Sequence, residues 1–98
     1  MANQFPEIGY HPGYTGAFTR SEAEDAIPNG TTIVKSWSEP GDGTPNGTLG
    51  TVLGSIDGAL YAPELVAKFG ARFMYFIEWS TAPKVAVGVT DKKIARLS

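Results

Sequence analysis

The run "RFMYFIEWS", residues 72–80, limits what this chain can fold into more than any other stretch. Alternation along a strand sends Phe73, Tyr75, Ile77 and Trp79 to one face and Met74, Phe76 and Glu78 to the other. The first half is apolar on both faces, which a sheet tolerates only where both sides are covered. The cover over Met74 and Phe76 is expected to come from the N-terminal segment or from a second copy of the chain. With 98 residues, 42% hydrophobic and 18% charged, the chain has material for one domain with one modest core.

Glycine (12 residues) and proline (7) cut the remainder into short extended pieces. Pro-Asn-Gly-Thr occurs twice, at 28–31 and 45–48, and each copy reads as a turn that delivers the chain into a strand. After the first, "TTIVKSW" places Thr31, Ile33, Lys35 and Trp37 on one face. After the second, "TLGTVLGSI" places Gly50, Val52, Gly54 and Ile56 on one face and Leu49, Thr51 and Leu53 on the other. Glycines at such spacing inside a strand predict a sharp bend, a bulge or a close approach of another backbone, as in a strongly curved strand of a small closed barrel. Gly50→Val is therefore expected to harm the fold more than Gly43→Ala, which lies in a loop. "VAVGV" at 85–89 aligns its three valines, and a last strand is expected from Ile94 to Leu97.

Two segments read as helical. "SEAEDAI" offers Ser21 as N-cap with Glu24 three residues on. "APELVAKFG" has Pro63 at a first helical position and Gly70 at the stop. Residues 1–28 are expected to form an irregular arm held by Phe5, Tyr10, Tyr14 and Phe18. Residues 29–98 are expected to form the main β unit.

The G-x-x-G-T-V pattern of Gly47, Gly50, Thr51 and Val52, the Y-x-I-x-W of Tyr75, Ile77 and Trp79, and the closing "KIARL" resemble the small SH3-like barrels, a group that includes tudor-like and KOW-type domains. The resemblance covers roughly residues 29–98. It implies an all-β, five-stranded barrel whose members bind peptides, nucleic acid or partner subunits. The acidic, aromatic first loop of peptide-binding SH3 domains is replaced here by "EPGDGTPN", with two acids and no aromatic.

No motif for catalysis or cofactor binding assembles. "GDGTPNG" misses the dinucleotide fingerprint by one residue and follows no βαβ pattern. Read as a calcium loop from Asp42, it places Thr44 and Leu53 where ligands belong. There is no cysteine, hence no disulfide, thiolate ligand or thiol nucleophile. His11, the single histidine, reads as structural for want of a partner base or ligand. Glu78 reads as a cross-strand partner for Lys35 or Lys84, and Trp37, Tyr75 and Trp79 read as core or rim.

The net charge of −2 draws the chain to no polyanion. Residues 1–30 nevertheless hold four acids against Arg20, and residues 81–98 hold four bases against Asp91. The N-terminus lacks the basic and apolar regions of a secretory signal, and no apolar run is long enough for a bilayer. The expectation is a cytoplasmic, non-enzymatic interaction module without cofactor or metal. It would bind a protein partner or a second copy through Tyr61, Met74 and Phe76. The alternative is weak nucleic-acid binding through Lys84, Lys92, Lys93 and Arg96.

Overall fold

The computed structural model describes residues 7–97, the side chain of Phe69 apart, so Phe5 lies outside the described residues. Five strands, β1 (Thr32–Lys35), β2 (Leu49–Asp57), β3 (Phe73–Trp79), β4 (Val87–Thr90) and β5 (Ile94–Arg96), form one antiparallel sheet in the order β4-β3-β2-β1-β5. Two short helices, α1 (Gly58–Tyr61) and α2 (Pro63–Phe69), fill the β2–β3 connection. A 3-10 turn at Asp91–Lys93 joins β4 to β5. The chain is mainly β, as the alternation predicts.

The expected barrel closure is not found: β4 and β5 are the two edges of an open sheet. The outer side of the chain entering β4 is already engaged by the arm. Thr15 bridges Val85, its N–H donating to the Lys84 carbonyl (2.8 Å) and its carbonyl accepting from Ala86 N–H (2.9 Å). These backbone groups, just ahead of β4, are thereby committed to the arm.

The two Pro-Asn-Gly-Thr turns sit at opposite ends of the β1–β2 pair and are built alike. Each closes with the Thr N–H on the Pro carbonyl at 3.2 Å, and Gly30 and Gly47 take φ of 87° and 91°. Gly30 N–H then donates to the Val52 carbonyl and Gly47 N–H to the Lys35 carbonyl, both at 2.8 Å. Gly30 and Thr31 thus oppose Val52, while Gly47 and Thr48 oppose Lys35, which is the glycine bulge that follows a tight turn. The repeated tetrapeptide frames one strand pair from both ends.

A second bulge changes which side chains face where. The β2–β3 register shifts between Val52 and Gly54, leaving Leu53 as an extra residue. Gly50, Val52, Ser55 and Asp57 lie opposite Trp79, Ile77, Tyr75 and Phe73. Gly54 and Ile56 lie opposite Phe76 and Met74, so they share the other face, contrary to the simple alternation. The reason is the period of two: one inserted residue exchanges the faces of everything after it.

Each face has its own core. Ile33, Val52, Tyr75, Ile77, Trp79 and Ile94 bury together with Ala26 on the first. On the second, Phe18 of the arm buries against Leu53, Ile56 and Phe76. The arm supplies the cover that the doubly apolar β3 requires, with Tyr14 stacked edge-on to Phe18 at 5.1 Å. Its approach is close: a Cβ on Gly54 would fall on the Thr19 carbonyl oxygen.

The helix expected over 21–27 is absent. Ser21 carbonyl accepts from Ser55 N–H (2.8 Å), Ala23 N–H donates to Ser55 Oγ (2.9 Å), and Ile27 N–H donates to Tyr75 Oη (3.0 Å). Asp25 takes φ 69°, outside the helical region. Bonding to the sheet replaces the helical ladder. Burial raises the pKa of the Tyr75 hydroxyl. The second helix forms as predicted, with Pro63 in its first turn and Gly70 left-handed (φ 70°) at its end.

Candidate functional site

α1 and α2 build a cleft against the end of the sheet. Asp57 caps α1, its carboxylate accepting from Ala59 N–H at 2.9 Å. The same carboxylate takes the Arg72 guanidinium through Nη2 (2.8 Å) and Nε (3.2 Å), a bidentate pair that ties the start of α1 to the start of β3. Arg72 and Phe73 N–H groups both donate to Asp91 Oδ2, at 3.0 and 2.9 Å. The two connections to β3 and β5 are thereby held together at one corner.

The pair predicts a pH dependence. The Arg72 hydrogen bonds, partly opposed by desolvation, hold the Asp57 carboxyl below its ordinary 3.8. The unfolded chain therefore binds the proton first. The stabilisation is complete above the ordinary value and is lost as pH falls through the depressed folded value. Acid titration of Tm is expected to show a decline below about pH 4, and Asp57→Asn is expected to flatten it. An unchanged acid limb in Asp57→Asn would show that the pair does not contribute.

The cleft encloses about 400 Å³ and is lined by Ile56, Tyr61, Leu65, Val66, Met74 and Thr90, with Arg72 at the rim. Its floor follows from the register. Ile56 pairs with Met74 and Met74 with Thr90, so the three form one cross-strand row. Its wall is α2, a seven-residue helix with no buried residue among those described. Such a helix gains little from its own length. Met74 remains 43% exposed and Leu65 49%.

Of the residues singled out from sequence, Tyr61 and Met74 meet in this cleft. Phe76 does not: at 7% exposure it is floor for Phe18, because the arm lies over it. The four basic residues are not brought onto one surface. Lys84 precedes β4 and lies 5.0 Å from the Tyr14 ring centroid, whereas Lys92 and Lys93 follow β4 at its far end. Lys93 is spent on Asp42, 3.2 Å from both carboxylate oxygens. Lys92 lies 5.9 Å from the ring centroid of the half-exposed Trp37, and Arg96 is exposed on β5.

The "GDGTPNG" loop, residues 41–47, folds around an ammonium. Lys35, 3% exposed, extends beneath it and donates to Thr44 carbonyl (2.9 Å), Ser38 Oγ (3.1 Å) and Asp42 Oδ2 (3.4 Å). Glu39 N–H, above all, with Lys93 and Lys35, holds the Asp42 carboxyl below its ordinary range. Glu78 is not the partner of the Lys35 ammonium. It accepts from Tyr14 Oη (3.2 Å) and from the Lys84 backbone N–H (2.9 Å), because Lys35 shares the face of Ile33 rather than that of Glu78. His11 Nε2 lies 3.0 Å from the Phe18 carbonyl, which places it within the arm.

Leu65 and Arg72 were not legible as site residues in the sequence. Leu65 sits in a readable helix, but its exposure depends on how little of α2 the sheet covers. Among the described residues, no three His, Cys, Asp or Glu side chains converge to hold a metal, and no helix is long and apolar enough to cross a membrane. The chain matches no protein-family model, no curated protein and no solved structure.

Proposed function

We propose that this chain is a non-enzymatic interaction module that holds a protein partner in the cleft between α2 and β3. The observation that carries the reading is the cleft itself: apolar, about 400 Å³, open, and walled by a helix with exposed Leu65. Kinship with SH3-like domains is part of the proposal. The strand order β4-β3-β2-β1-β5 and the 3-10 turn before the last strand support it. A cytoplasmic setting accords with the cysteine-free sequence.

The test is capture from native lysate with the tagged chain and with a Leu65→Glu, Met74→Glu double variant, each with and without nuclease. Both side chains are about half exposed, so the variant is expected to keep its circular dichroism spectrum and Tm. A stoichiometric protein retained by the parent chain and lost by the variant is the expected result. Equal retention by both would remove the cleft from the contact. Capture abolished by nuclease would favour nucleic-acid binding, a reading supported by Lys92 beside the half-exposed Trp37.

A further inference from the structure

Resting on that reading, we infer that the partner enters as an extended apolar segment ending in carboxylates, added along β4 as a sixth strand. The row Ile56–Met74–Thr90 stops at Thr90 because β4 is an edge. The next position in that row belongs to an added strand, whose side chain there shares the face of Met74 and Thr90 and so enters the mouth of the cleft.

The edge is open where the row ends. Lys84 carbonyl and Ala86 N–H face outward to the arm. By alternation the backbone groups of Gly88 and Thr90 face outward too, and no strand among the described residues pairs with them. The bridge to the arm lies at Val85, leaving Val87–Thr90 clear. Although β4 is short, at four residues, Val87, Gly88, Val89 and Thr90 include no proline and no charged side chain, two of the devices that discourage pairing at an edge. The β5 edge, by contrast, ends in Arg96.

Charge selects the segment. Lys92 follows β4 by two residues, is exposed, and has its Nζ 3.9 Å from where a Cβ on Gly70 would lie, beside the end of α2. Arg72 lines the same cleft with its side chain 47% exposed, using Nε and Nη2 on Asp57. Because Lys92 lies past the C-terminal end of β4, a strand added parallel to β4 brings carboxylates at its own C-terminal end to these cations. A second copy of this chain fits less well. Its own β4 brings Gly88 and Thr90 to this face, with neither bulk for the cleft nor an acid before Asp91.

The probes are three synthetic hexapeptides titrated into the ¹⁵N-labelled full chain. They are acetyl-Val-Leu-Val-Leu-Asp-Asp-amide, its counterpart ending in Lys-Lys, and the first peptide N-methylated at alternate backbone amides. The acidic peptide is expected to move the amide signals of Leu65, Met74, Gly88 and Thr90. The lysine and N-methylated peptides are each expected to bind about tenfold more weakly, and Lys92→Glu is expected to invert the charge preference. Unmoved Gly88 and Thr90 signals at millimolar acidic peptide, or equal affinity for all three peptides, would overturn strand addition. If the cleft still captures a partner in that case, the interaction reading stands and only the assigned occupant falls.

Discussion

Gly54→Ala is expected to be the most damaging single-methyl change in the chain. The added Cβ falls on the Thr19 carbonyl oxygen, a backbone atom on a segment anchored two residues further on, where Ser21 accepts from Ser55 N–H at 2.8 Å. Neither side can yield without breaking the contact between arm and sheet. Overpacking costs 1–3 kcal/mol in ordinary cores, and a clash with fixed backbone belongs at or above about 3 kcal/mol. For a domain of this size that lowers Tm by roughly 12 °C or more. Gly43→Ala is the control, with nothing within 4 Å of the new Cβ. Gly50→Val lies between them, since its Cβ would meet Ile77 Cγ2 at 2.7 Å and Trp79 Cε3 at 2.8 Å, both side-chain atoms. Thermal melts of the three variants check the order, and equal Tm values for Gly54→Ala and Gly43→Ala would show that the arm does not lie on β2.

Phe18→Ala is expected to cost about 3–5 kcal/mol. Phe18 is wholly buried and is the arm's deepest contact with Leu53, Ile56 and Phe76. It also lies 4.1 Å from the His11 ring, so its loss loosens the arm and uncovers the second face of the sheet. Denaturant melts give the magnitude, and hydrogen exchange gives the location. Faster exchange is expected at Gly9, whose N–H bonds to the Phe18 carbonyl at 3.1 Å, and at Ala86, whose N–H bonds to Thr15. A small stability loss with unchanged exchange at both amides would place the cover over Phe76 elsewhere.

The strands were legible because side-chain alternation is local. β3, Phe73–Trp79, fills all but the two end residues of "RFMYFIEWS", and Ile33 and Lys35 turn inward together as their spacing requires. Pro63 and Gly70 bracket α2 because ring closure and a left-handed stop act within single residues. The failures share one cause: a partner distant in sequence decided the outcome. "SEAEDAI" has a good capping signature, yet Ser55 and Tyr75 bond its backbone from more than 30 residues away. The bulge at Leu53 requires knowledge of β3, and it moved Gly54 and Ile56 to the face the arm covers.

The candidate site divides in the same way. Met74 and Tyr61 were legible as apolar groups without an evident cover, while Phe76 was indistinguishable from them until the arm was placed over it. Leu65 and Arg72 became site residues only when the Asp57–Arg72 pair drew α1 to the start of β3 and left α2 standing off the sheet. Sequence alone determined the strands, the two glycine turns and the need to cover both faces of β3, since φ preference and alternation operate over a few residues. Tertiary structure decided which segment provides that cover, where the sheet stays open and where the cleft lies. Those depend on which distant backbone groups and apolar surfaces pair with one another.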